Sequence, residues 1–543
     1  MNKDTIKTKE HCNNKFATSF EISNPEDALA NLFGRIPQYI KTTFLAACAS
    51  GLLAHFYIIS RKLPNHDDIG QLFGSTYGTA SGRWLLPFVM KLDGSYSIPW
   101  LIGILSILML AVAVCFTVSV MRIRSPLGCI LTAALMTTFP AVTATMTYMF
   151  SADAYFLSLA LACFAVYVTN KYRWGFIGGV IAITLSMGIY QSYFGVTAVL
   201  MVGALLFDAL DGEYSFKQLI LKSLKFLAAL ASGMILYIII VKLTTQSTEL
   251  VSYMGISEMG HVSVIAMPQL VFNAYSEYLH FFIRNSDLVH FSFLKYAFAL
   301  TAAASLYLGI FIIRNKKMKL KYLILLVLLA IIYPLAGNII YVMVPDAPVH
   351  MLMLFGMTGI LIAPLTLMEY YMELTPGLVS GRWGKWQKNV GSFCCWVIAG
   401  TIAVTAYSYT IFSNEAYLKM ELSFEQTYSF STRLLGAIEN TDGYDKNTPI
   451  VLVGSALDDV AYEQTPELDR ITLAGIADMK ELINSYTYGY FLRRFVGAPN
   501  IVYDSKSQIS EKCKDSDVVK SMLNYPASGS VKVVGKYIIV KFS

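Results

Sequence analysis

About eleven apolar runs, each long enough to cross a bilayer, recur along the 543 residues. They centre on 40–60, 98–120, 127–147, 153–170, 174–189, 193–210, 222–243, 292–313, 321–343, 350–371 and 391–412. Runs of this length satisfy their backbone N–H and C=O groups inside lipid only as helices, which closes off soluble folds. The composition agrees, with 55% hydrophobic and 14% charged residues. The fold class expected is therefore mostly α, a polytopic membrane protein of about 11 transmembrane helices.

Positive charge sets the expected orientation. Arg122 with Arg124, Lys171 with Arg173, Lys217 with Lys222, RNKKMKLK at 314–321, and Arg382 with Lys385 and Lys388 fall in alternate loops. Such loops stay in the cytoplasm. They also account for the net charge of +6, so it is read as a topology signal and no nucleic-acid partner is expected. By the same count, the Arg61–Ser97 loop, the turn at Ser151 and Asp153, GIYQSYF at 188–194, the Thr244–Phe291 loop and everything after Ser413 face outward.

Three domains are expected. Residues 1–38 form a cytoplasmic arm, disordered to about residue 22, then a short helix in SNPEDALANLFGRI lying on the membrane surface. No cleavable leader is read there, and the first span acts as its own insertion signal. Residues 39–412 form the membrane domain. Residues 413–543 are richer in charge and read as a small extracytoplasmic α/β domain. In it NEAYLKMELSFEQTYSFSTRLLGAIEN and ITLAGIADMKELINS are helix-like, TPIVLVGSA is strand-like, and SGSVKVVGKYIIVKF closes as a hairpin. The eight cysteines lie mostly inside apolar runs and show no CxxC or Cys/His spacing, so neither a zinc site nor a disulfide framework is indicated.

The chemistry-bearing residues collect in the outward loops. Asp67 and Asp68 follow the first span, and a carboxylate there can take the proton from an attacking sugar hydroxyl. The neighbouring acid can shift its pKa, position an acceptor or bind a divalent cation, Mg or Mn. A solvated loop with a helix start at Asp67 accounts for the same pair. Asp153 heads a span, where a carboxylate suits the helix dipole or faces the first loop as a second acid. Arg83, in GRWLLPF, either clamps a lipid phosphate or anchors the interface beside Trp84. Tyr190 and Gln191 line a cavity or make a turn. Arg284, with His261, His280, His290, Tyr253, Tyr275 and Tyr278, suits sugar stacking and pyrophosphate contacts, or an amphipathic helix resting on the membrane.

HDDIG followed by GRWL, the SMGIYQSYF element, and SNEAYLKMELSFEQTYSFSTRLLGAIE followed by PIVLVG together resemble the GtrII-type glucosyl transferase family, over about residues 40 to 460. The resemblance implies a GT-C-like fold in a bacterial inner membrane. It implies an inverting hexosyl transfer, glucose by type, from undecaprenyl phosphate or a similar polyprenyl-phosphate donor to a surface polysaccharide acceptor such as the O-antigen of lipopolysaccharide. It also implies a separate donor synthase and flippase as partners. Carried onto this chain, the acidic motif is Asp67 and Asp68, with Asp153 as partner by position only; the residues themselves, not the resemblance, put Arg83 on the donor phosphate and Tyr190, Gln191 and Arg284 on substrate. A flippase or transporter of lipid-linked sugars, or a polymerase or ligase of lipid-linked glycans, are the competing readings. A transporter needs ionisable residues near the bilayer midplane, and the runs carry almost none.

Overall fold

The computed structural model describes residues 24–74, 81–244, 265–283, 288–344, 348–378, 381–456, 465–476 and 478–543. Arg284, His261, Tyr253 and the arm before residue 24 lie outside them.

Helix α1 (Pro25–Arg35) starts at Asn24, whose Oδ1 accepts the Asp27 N–H at 2.8 Å. No residue of α1 is buried, and its Leu29, Leu32 and Phe33 are exposed. The membrane domain then runs through α2 (Gln38–Ser60), α3 (His66–Gln71), α4 (Leu86–Val89), α5 (Pro99–Val120), α6 (Pro126–Thr138) and α7 (Pro140–Met146). It continues with α8 (Ala152–Lys171), α9 (Gly175–Ile189), α10 (Phe194–Asp211), α11 (Phe216–Thr244), α12 (Met267–Ile283), α13 (Leu294–Asn315), α14 (Leu320–Gly337), α15 (Ile340–Met343), α16 (Thr358–Leu378) and α17 (Gly381–Glu439).

Each apolar run falls on a helix, yet the runs do not all make spans of equal standing. Among the described residues, 8 helices are long and apolar enough to cross a membrane, or 9 if the bent α6–α7 pair is one span. The run at 127–147 breaks because Pro140 removes an amide and forces Phe139 out of helical geometry. The two pieces diverge by 47°. Helix α9 has only 15 residues, and α16 carries Glu369 and Glu373. Helix α5 packs between α2 and α8, α9 covers α8, and α8 and α10 are the innermost helices.

Helix α17 continues unbroken for 59 residues, so position 413 lies in mid-helix and no linker separates the membrane domain from the C-terminal one. Its far end packs Phe430, Leu434 and Ile438 onto a four-stranded sheet. The strands are β1 (Ile450–Val453), β2 (Val502–Tyr503), β3 (Val531–Val534) and β4 (Tyr537–Lys541), in the order β2-β1-β4-β3. Strand β1 runs parallel to β2 and β4, with Ile450 opposite Val502 and Ile538, while β3 and β4 make the expected hairpin.

The segment 471–485 is not the helix expected from its spacing. Only α18 (Met479–Leu482) forms there. Ile471, Leu473 and Ile476 instead lie in an irregular stretch buried against the membrane helices. The Lys419 ammonium holds this stretch by donating to the Ile471 carbonyl at 2.9 Å. Gly475 approaches so closely that a Cβ would lie 2.0 Å from the Thr147 hydroxyl. The remaining short helices are α19 (Tyr488–Phe491), α20 (Gln508–Lys514) and α21 (Asp517–Ser521).

The two ends of the bundle differ in kind. One end gathers the described parts of the 61–97 loop, the 148–153 turn, the 188–194 turn and the sheet domain. The other gathers the basic loops, where Arg122 and Lys222 pair with Asp208, and Arg122 and Lys316 pair with Asp211.

Candidate functional site

Helix α3 places the two adjacent aspartates in opposite circumstances. Asn65 caps it through its Oδ1, which accepts the Asp68 N–H at 2.9 Å, and the Asp68 carboxylate reaches back to the Asn65 N–H. The Asp68 side chain is thereby turned inward and is 1% exposed. Its Oδ1 accepts from the Ser97 hydroxyl and from the Phe150 N–H, both at 3.0 Å. Asp68 thus pins the first loop to the turn before α8.

Burial raises the Asp68 carboxyl from 3.8 to about 6, against the opposing hydrogen bonds and the Lys62 charge. The folded protein therefore holds this proton more tightly than the unfolded chain does. Its contribution to stability is fully present below the unfolded value and is lost as pH rises through 6. About two pH units at about 1.4 kcal/mol each make that loss about 3 kcal/mol. Asp68→Asn cannot titrate, so its thermal midpoint should fall less than that of the wild type between about pH 4 and pH 7. Parallel melting curves would show that this carboxyl does not titrate in a buried setting.

Asp67, one residue earlier, points the other way and stays partly exposed. Its Oδ1 lies 3.6 Å from His66 Nε2, and His66 Nδ1 lies 3.1 Å from Glu481 Oε2 at the end of α18. The sheet domain therefore closes onto the first loop, where the Arg494 guanidinium also donates to the Ile69 and Gly70 carbonyls. Burial raises the Asp67 carboxyl, offset by the positive charges of His66 and Arg83. For His66, burial acts downward, but Glu481 and the neighbouring aspartates outweigh it and raise the imidazole.

Arg83 stands over an aromatic ledge. Its Nη1 donates to the Tyr155 hydroxyl at 2.8 Å, and its guanidinium carbon lies 5.7 Å from the Tyr155 ring centre and 5.1 Å from that of Tyr190. The two rings stack at 4.5 Å. The Gln191 amide donates to the Ser81 carbonyl and the Tyr237 hydroxyl, each at 2.9 Å. Tyr237 in turn donates to the Gly82 carbonyl at 3.2 Å. Gln191 and Tyr237 thus fix the backbone that carries Arg83. Leu85 N–H bonds to the Gly188 carbonyl at 2.9 Å, and Trp84 lies so near Gly188 that a Cβ there would be 2.6 Å from the ring.

Asp153 heads α8, 9% exposed, with Oδ1 taking the Ala154 N–H at 2.8 Å. It also meets a carboxyl that sequence reasoning missed. Asp93, 6% exposed in the turn KLDGS, is in hydrogen-bonding contact with Asp153. Two carboxyls this close disfavour each other's charge. Burial raises the Asp93 carboxyl, with the Ser95 amide, Asp93's own amide and the Asp153 hydrogen bond acting downward. An Asp-Gly pair signals only a turn, so nothing local joined it to Asp153.

From the long 244–291 loop, the described parts are 265–283, which carry α12, and 288–291; α12 joins the bundle. Asn338 donates to the Ala274 carbonyl at 2.8 Å, and Tyr275 donates to that of Ile331. Tyr278 packs on Phe282, His280 faces Glu277 at 3.7 Å, and His290 faces Glu415 at 3.4 Å. None of these contacts reaches Asp67 or Arg83. Among the described residues no three His, Cys, Asp or Glu side chains converge as a metal site.

The arrangement therefore offers a partly exposed carboxylate next to an imidazole, and within the electrostatic reach of a guanidinium on stacked rings, at one end of an apolar helix bundle. No curated protein and no solved structure matches the chain significantly. A family model described as glucosyl transferase GtrII does match, over residues 56–363, which include the first loop, the Arg83 ledge and the α8 turn and end within α16. That match covers more than half of the chain, which therefore belongs to the GtrII glucosyl transferase family.

Proposed function

We propose that this membrane glucosyltransferase moves glucose from a polyprenyl-phosphate donor onto a surface polysaccharide such as O-antigen. The observation that carries the reading is a partly exposed Asp67 carboxylate near enough to Arg83 to feel its charge, with Arg83 held on the Tyr155–Tyr190 ledge. A carboxylate with an exposed face and a fixed cation in its neighbourhood suit a substrate with an anionic head.

Asp67 acts as general base, taking the proton from the acceptor hydroxyl as its oxygen bonds to the anomeric carbon. The bond from that carbon to the phosphate oxygen breaks from the opposite face, so configuration inverts. The lipid phosphate departs with the electron pair, and Arg83 holds its negative charge through fork-like hydrogen bonds. Asp68 positions the loop, and the Asp93–Asp153 pair secures the turn beside it. No step requires a metal ion in this scheme. The domain-bearing end faces the periplasm of a bacterial inner membrane and the basic loops face the cytoplasm, consistent with the distribution of Lys and Arg. Accessibility of a tag after Ser543 from outside the inner membrane tests that orientation. Donor supply then needs a separate synthase and a flippase.

Proteoliposomes given radiolabelled polyprenyl-phosphate glucose and purified acceptor polysaccharide test the reaction directly. Arg83→Ala should raise KM for the donor about tenfold to a hundredfold, as expected for losing a charged hydrogen bond of about 1.5–3 kcal/mol. KM for the acceptor should change little. Equal effects on both substrates would remove the phosphate role.

A further inference from the structure

Away from the membrane site, the sheet domain holds a cavity of 530 Å³ that is not part of the machinery described above. Its place in the fold is specific. Gly454 and Ser455 follow β1, Asp504 and Ser505 follow β2, and Phe542 follows β4, so the cavity sits at the carboxyl ends of all three parallel strands. That is where open α/β sheets bind ligands, because the chain diverges there and leaves a crevice. The size falls within the range of about 300–1,000 Å³ usual for small-molecule sites. Strand β1 can turn sharply away because Gly454 adopts φ +80°, with the chain at Ser543 packed where a Cβ would stand.

The lining selects the ligand. Tyr488 and Phe542 are buried and give the cavity an apolar floor. Around them stand Lys480, Ser485, Asp504 and Ser505. Asp504 Oδ1 accepts the Gly489 N–H, and among the described residues Oδ2 accepts nothing. Lys480 is exposed and makes no ion pair among the described residues. One carboxylate and one ammonium cancel, so an anion would gain from Lys480 what it loses to Asp504. A neutral ligand dense in hydroxyls uses both, donating to Asp504 and accepting from Lys480 and the serines while its C–H face rests on the rings.

We propose that this cavity binds the saccharide acceptor, as a subsite that presents it to the membrane-embedded centre. The inference rests on the glycosyltransferase reading for its choice of saccharide. Location supports it, since Lys480 on the cavity adjoins Glu481, which contacts His66 beside Asp67. The cavity also lies wholly outside residues 56–363, so the family's shared segment does not include it.

The test uses full-length protein in lipid nanodiscs with no donor present. The probe is a set of oligosaccharide fragments cut from the surface polysaccharide of cells lacking this chain, with binding read by saturation-transfer NMR. The wild type and Lys536→Gln, an exposed change in the turn between β3 and β4, should bind alike, whereas Asp504→Asn and Lys480→Gln should bind at least tenfold more weakly. Asn still offers Gly489 an oxygen, and Lys480 is exposed, so neither change acts through unfolding. Absent binding by the wild type, or equal binding by both cavity variants, overturns the proposal. Transfer assays separate it from the broader reading. If binding tracks the cavity variants but the wild type transfers no sugar, the reaction assigned above falls and the subsite stands. If transfer proceeds with an unchanged acceptor KM in every cavity variant, the subsite falls and the reaction stands.

Discussion

Asp67→Asn should slow glucosyl transfer by about a hundredfold to ten-thousandfold, the range expected when a general base is removed. Expression and membrane insertion should be unaffected, because the Asp67 side chain is partly exposed and, among the described residues, supports no cap or buried hydrogen bond. The neighbouring acids cannot substitute. Asp68 is committed to Ser97, Phe150 and Asn65, and Asp93 and Asp153 are committed to each other. The same substitution removes the acidic limb of the pH–rate profile. In the wild type that limb should lie above the ordinary carboxylate range, since burial raises Asp67, and activity should grow as pH rises through it. Near-normal transfer by Asp67→Asn would remove the catalytic assignment, whatever became of Arg83.

Asp208→Leu should cost stability rather than chemistry. Its side chain is 2% exposed at the end of α10, where it accepts from Arg122 and Lys222. Removing one member of a buried ion pair leaves the other charge uncompensated, a loss of about 3–5 kcal/mol. Arg122 keeps Asp211 at 2.7 Å, so Lys222 bears most of the damage. The double variant Asp208→Leu/Lys222→Leu should therefore recover much of the thermal midpoint that the single variant loses, because a matched apolar replacement carries no stranded charge. Heating detergent-solubilised protein and following the monodisperse fraction by size exclusion measures both. A single variant as stable as the wild type would show that the cluster adds nothing to holding these helices.

The helices were legible because an apolar run of spanning length admits few other conformations. The α6–α7 break has a local cause in Pro140, but the apolar run continues through it and reads as one span. What sequence could not divide was the adjacent pair Asp67 and Asp68. The capping box at Asn65 is what turns one inward and leaves the other partly exposed, and that pattern was in the residues all along. Contacts between distant segments left no local mark. His66 meets Glu481, Arg83 meets Tyr155, and Asp93 meets Asp153 only once the bundle has formed. The stretch at 471–476 shows the converse. Its apolar spacing suits a helix, but burying Ile471, Leu473 and Ile476 against the membrane helices prevails over that local preference.

Because α17 crosses from the lipid-embedded layer into the sheet domain without a joint, the height of that domain above the bilayer is metered by residue count. Each residue inserted near position 413 would lift it about 1.5 Å and swing it about 100°. One extra residue would therefore carry α18 away from His66 altogether, whereas four would nearly restore its bearing at a greater height. The enzyme behaves in this respect like a threaded rod, tolerant of changes in whole turns and intolerant of fractions of one.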